Sequence, residues 1–160
     1  MLLDLNRLGF PMKSVFLLSD ELKRDPERVS LTQALTKDES KPFMGLKGSH
    51  GIFASAEWWD SINLRKMPLL FVSGIICRAY VAGQDRSASN NTVDLVARDG
   101  SVSSVGIYTN EKQDVELFRE GCWVEMVYAL DELKLQPASD GGVNYSKIAL
   151  ETAISLQPVN

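Results

Sequence analysis

The chain has one histidine and two cysteines in 160 residues, and each scarcity removes a class of chemistry. A lone imidazole, His50, cannot build a multi-histidine metal cluster and leaves one possible imidazole base. It sits in the turn Gly48-Ser49-His50-Gly51 with no catalytic motif around it. Ser49 beside it lacks the GxSxG strand-turn-helix context of an activated serine. Cys77 and Cys122 lack CxxC spacing and fall in expected strands, so they read as buried, inert thiols of a reducing compartment. No apolar run approaches the roughly 18 residues that span a bilayer. The first residues, MLLDLNRLGF, carry Asp4 and no basic leader, so no signal peptide is expected. These absences describe a cytoplasmic protein with no cofactor and no metal.

Basic charge is also scarce where nucleic acid would need it. Residues 84–160 hold six basic and twelve acidic side chains, and the whole chain carries a net charge of -4. Phosphate backbones are repelled by such a surface on average. Clustering of Arg78, Arg86, Arg98 and Lys147 on one face would reverse that reading. The acidic pairs Asp131-Glu132 and Asp114/Glu116 have no third ligand spaced to join them, so they read as a solvated acidic face.

What the chain does have is Pro68–Gly83, PLLFVSGIICRAYVAG, its longest apolar run. From Leu69 to Ile76 both alternating sets are largely apolar, which predicts a strand covered on both faces in its first half, with Arg78 and Tyr80 restoring a polar-tolerant face in its second half. Gly74 inside it suggests a bulge or sharp bend. Upstream, Ser55 is a good N-cap with Glu57 in the first turn, so a helix should carry Trp58 and Ile62 on one face and Trp59 beside them. Gly83–Asn91 is a polar loop. Thr92 to Arg98 then alternates, with Val93 and Leu95 on one face and Thr92, Asp94 and Val96 on the other. A three-residue loop Arg98-Asp99-Gly100, with Gly100 left-handed, is the register that sets Val93 opposite Val105 and Leu95 opposite Ser103.

Farther on, Asn110 and Gln113 suggest a capping box for a helix ending at Gly121. Cys122 to Leu130 alternates with Trp123 and Glu125 outward. Ser139–Gly142 is a turn, and Tyr145 to Leu156 reads as a strand with β-branched Ile148, Thr152 and Ile154. Residues 1–47 are harder to read. Val15–Leu18 suggests a short strand entering a helical turn, Asp25-Pro26 a break, and Val29–Leu35 fits either strand or helix.

From residue 68 the order is bent strand, two-stranded hairpin, helix, strand, strand. Gly74, Asp99-Gly100 and the helix Glu111–Glu120 followed by Gly121 carry a resemblance to the OB fold, over roughly residues 68–157. The resemblance implies a mainly β (α+β) protein: a five-stranded OB-like Greek-key β-barrel with a helix between strands three and four. A Trp-bearing helix and an N-terminal arm are added to it, with residues 1–47 as a docking extension and 48–160 as the barrel domain. Proteins of this fold bind oligonucleotides, oligosaccharides or other proteins, and fold alone does not choose among them. The hairpin's exposed set lacks stacking aromatics, so single-stranded nucleic acid is the second reading.

The tryptophans stand out most. One or both of Trp58 and Trp59 could plug the interior. Alternatively the outer indole, Trp59, joins Trp123 in a binding surface, with His50 as a third candidate. The leading expectation is a non-enzymatic binding or assembly module working through protein–protein contacts, with a protein partner or a second copy of itself. An enzymatic or small-ligand pocket near His50 is the third reading, and requires His50 within hydrogen-bond reach of another polar side chain.

Overall fold

The computed structural model describes residues 1–83, 89–134 and 141–159. In chain order the elements are β1 (Met12–Leu17), α1 (Leu18–Arg24), α2 (Pro26–Lys37), α3 (Ala56–Asn63), β2 (Leu69–Tyr80), β3 (Thr92–Val96), β4 (Val102–Gly106), β5 (Trp123–Glu132) and β6 (Tyr145–Ser155). Short 3₁₀ helices cover Leu5–Leu8 and Lys112–Leu117. The strands form one antiparallel sheet in the order β1-β6-β5-β2-β3-β4. By contacts the chain divides into a first unit (Met1–Asp20, Phe71–Val127, Ala149–Asn160) and a second (Glu21–Leu70, Tyr128–Ile148). No described helix is long and apolar enough to cross a membrane.

Local chemistry explains several boundaries. Ser55 accepts a hydrogen bond from the Trp58 N–H at 3.2 Å, which caps α3 as its sequence requires. Trp58 and Ile62 share its buried face. The Asp25 side chain accepts from the Arg28 N–H, and Pro26 opens α2, where its missing N–H costs nothing. The open question over Val29–Leu35 is thereby answered as helix. The hairpin takes the three-residue loop: Val93 pairs with Val105, Leu95 with Ser103, and Gly100 has φ of +85°.

The architecture departs from the expected five-stranded barrel. Strands β5-β2-β3-β4 keep Greek-key order, but the sheet has six strands and stays open. The reason is β1. Its pairing with β6, from Met12↔Ser155 to Leu17↔Glu151, occupies the β6 edge, and β1 and β4 end the sheet as separate edges. At Gly74 an added Cβ would lie 2.7 Å from the Val96 carbonyl oxygen, so glycine admits a close approach of β3. The bulge itself falls later, between Ile76 and Arg78.

The strand covered on both faces is not β2. Phe71 is half exposed and Leu69, Leu70, Val72 and Ile75 are only half buried, whereas nearly all of β5 and the last eight residues of β6 are buried. Alternation concealed this because the buried strands contain paired acids. In the first unit, Glu125 accepts from Arg7 at 2.7 Å and from the Trp123 Nε1–H at 3.0 Å. Glu151 accepts the backbone N–H groups of Leu2 and Leu3. Asp114, expected on a solvated acidic face, is buried and pairs with Lys13 at 2.8 Å. Three buried carboxylates thus hold three points of the N-terminal segment, satisfying charges whose burial alone would be costly.

Three further expectations change. The segment Lys112–Leu117 is a 3₁₀ helix without a side-chain cap, because Asn110 bonds instead to β1. Cys77 is exposed at the bulge, while Cys122 is buried. Asp131, in the second unit, is fully buried. Most of the polar loop after Gly83, and Ser139 and Asp140 of the expected turn, lie outside the described residues.

Candidate functional site

The bulge at Cys77 creates the most distinctive surface of the first unit. Ile76 pairs with Leu95 and points into the core; with regular alternation Arg78 would follow it inward. The extra residue moves the register by one, so that Arg78 pairs with Asp94 and Tyr80 with Thr92 on the outer face. Phe71 and Ile75 lie on that face ahead of the bulge, and Val96, opposite Ile75, continues it.

Asp94 is the polar centre. Its Oδ1 accepts from the Ser104 hydroxyl at 2.6 Å and the Tyr80 hydroxyl at 2.8 Å. The Arg78 guanidinium lies 4.1 Å from the centroid of the Tyr80 ring. The Ser104 hydroxyl, then that of Tyr80, and least of all the Arg78 charge hold the Asp94 carboxyl below its ordinary range against the opposing effect of burial. The result is a fixed anion, a cation laid on an aromatic ring, and an apolar flank in which Phe71 is 51% exposed. Arginine and aromatics held in place before binding are the residue types that dominate protein–protein recognition.

The residues singled out from sequence fall elsewhere. Trp123 is in the first unit and only 6% exposed, with its ring under the Arg98 guanidinium at 5.4 Å. Trp59 and His50 are in the second unit. Trp59 is partly exposed and packs edge-on against Trp58 at 4.9 Å. Trp58 is the plug: it is fully buried, and its Nε1–H donates to Asp131 Oδ2 at 2.9 Å. Burial pushes the Asp131 carboxyl up, opposed by the Trp58 hydrogen bond and by the His50 charge, and its Oδ1 has no partner. The His50 carbonyl accepts from the Ser61 hydroxyl at 3.1 Å. Elsewhere in the second unit a groove of about 380 Å³ is lined by Leu31, Leu35, Leu46, Phe53 and Ile148, with Arg28 at its rim.

Of the basic residues that would have marked a nucleic-acid surface, Arg78 stands beside Asp94 and Arg98 lies on Trp123. Lys147 belongs to the second unit, and Arg86 is outside the described residues. Arg78 and Tyr80 were legible as a polar-tolerant face, but strict alternation puts Phe71 on the opposite side, and only the bulge brings the three together. The outward set Thr92, Asp94 and Val96 was legible as well.

Residues 12–155, which take in every strand of the sheet, match the model of a family described as immunity protein RhsI2. The chain belongs to that family. No curated protein matched the sequence. Immunity proteins act by binding a toxin and not by catalysis, so the expectation of a non-enzymatic module working through protein contacts agrees with the RhsI2 family at that level.

Proposed function

We propose that this chain neutralises a protein toxin by binding it directly, and that the outer face of β2, β3 and β4 makes the contact. The observation that carries this reading is the Arg78–Tyr80–Asp94–Ser104 network beside exposed Phe71. Ordering side chains at an interface costs free energy, and here much of that ordering is already present in the unbound protein. Asp94, kept ionised, supplies an acceptor for a toxin lysine or arginine, Arg78 supplies a donor, and Phe71, Ile75 and Val96 supply the apolar contact. A cytoplasmic setting belongs to the same reading, supported by two cysteines that form no disulfide.

Hydrogen–deuterium exchange of the full chain with and without its cognate toxin tests the assignment. Slowed exchange confined to residues 71–80 and 92–106 is the expected result. A footprint confined to α2 and the groove beside it would place the contact on the second unit and overturn the assignment.

A further inference from the structure

The two edges of the sheet are finished differently. At β1 the outer edge is sealed: the Asn110 N–H donates to the Val15 carbonyl at 2.8 Å, the Leu17 N–H donates to Asn110 Oδ1 at 2.8 Å, and Asn110 Nδ2 donates to the Leu17 carbonyl at 3.2 Å. At β4 the hairpin bonds fix which backbone groups face away. Ala97 N–H donates to the Ser101 carbonyl at 2.9 Å and Ile107 N–H to the Asn91 carbonyl at 2.8 Å. Hydrogen-bonded pairs alternate along an antiparallel ladder, so Ser101, Ser103, Val105 and Ile107 turn their backbone toward β3. Val102, Ser104 and Gly106 turn theirs outward, and among the described residues no backbone group meets them. From Ser101 to Ile107 there is no charge and no proline, the usual devices that keep an edge from pairing.

We propose that β4 pairs antiparallel with β4 of a second copy of this chain, about a two-fold axis at Ser104. In that register Ser104 faces its own counterpart and Val102 faces Gly106 of the other copy, each of these residues donating one backbone bond and accepting one. The side chains favour this occupant. Val102 is 63% exposed, and the Tyr108 ring stands over Gly106, with its Cε2 3.1 Å from where a Cβ would be. The two-fold lays each Val102 against the other copy's Gly106 and the ring above it, covering two exposed apolar groups at once, and β4 brings no like charges opposite one another. The outer face of β2 to β4 then continues across the axis into its copy.

The interface is small, so sedimentation of the full chain from about 5 to about 500 μM is the suitable range. A concentration-dependent dimer is expected, and Ser104→Pro, which removes an outward N–H together with the hydroxyl bonded to Asp94, should leave a folded monomer throughout. In a Cys77→Ser background, Ser104→Cys should form a disulfide-linked dimer on mild oxidation. Val102→Cys should not, because that position lies far from its own counterpart in this register. A monomer at every concentration, a dimer indifferent to Ser104→Pro, or equal cross-linking at both positions would overturn the proposal. So would a chain that stays monomeric up to about 500 μM and in which the β4 amides alone, without residues 71–80, gain exchange protection when toxin is added, since the edge would then belong to a toxin strand.

Discussion

The β5–β6 pair and the β2–β4 face have similar sequence patterns and opposite roles. In β5 and β6 two acids are turned inward and satisfied: Glu125 by Arg7 and Trp123, Glu151 by the Leu2 and Leu3 amides. On the face of β2 to β4 the polar positions are satisfied by each other and stay at the surface. An acid on a strand therefore does not mark a solvent face by itself. What separates the two regions is where the partner comes from: a distant segment folded over the strand, or a neighbour on the same sheet.

The largest expected effect breaks the buried region. Ile154→Ala removes a fully buried side chain and should cost about 3 kcal/mol in denaturant unfolding, whereas Val96→Ala on the outer face should cost less than about 1 kcal/mol. Equal losses would erase the distinction. Next comes recognition: Phe71→Ala should weaken toxin binding by about thirtyfold, roughly 2 kcal/mol, while leaving the melting temperature nearly unchanged. A smaller effect sharpens the contrast. Thr152 Oγ1 is buried in β6 without a hydrogen-bond partner, so the isosteric Thr152→Val should stabilise the protein by about 1 kcal/mol.

The smallest effect is in pH dependence, where the two regions titrate in opposite directions. Asp131 near the end of β5 has a raised pKa, so the folded chain keeps a proton that the unfolded chain gives up near 3.8. That contribution is full below 3.8 and is lost as pH rises through the folded value. Asp131→Asn should abolish the loss, and the melting temperature of the variant relative to wild type should rise as pH is raised from about 4 to about 7. Asp94, with its pKa lowered, contributes stability that is present above 3.8 and lost on acidification through its folded value. A fixed difference between Asp131→Asn and wild type at every pH would show that Asp131 titrates normally.

Local chemistry was legible in the sequence wherever the residues that decide it are neighbours. Ser55 and Glu57 specified the start of α3, and the patterning of Val93, Leu95, Val105 and Gly100 specified the hairpin register. Features set by distant residues were not legible. Nothing near Asp114 signals that Lys13 will cover it, and nothing near Asn110 signals that β1 will claim its side chain in place of a helix cap. The barrel failed for the same reason, since β1 lies more than a hundred residues from the β6 edge it occupies. The proposed binding face was partly legible: Thr92, Asp94 and Val96 pointed outward on pattern alone and Arg78 and Tyr80 read as polar-tolerant, while the union of Phe71 with them depended on a bulge that alternation cannot show.

The central claim, that the outer face of β2 to β4 is where toxin binds, is tested most directly by calorimetric titration of the cognate toxin into wild type and into the Phe71→Ala/Arg78→Ala double variant. Affinity should fall by at least about a hundredfold in a variant that melts like wild type. Equal affinities would contradict the account.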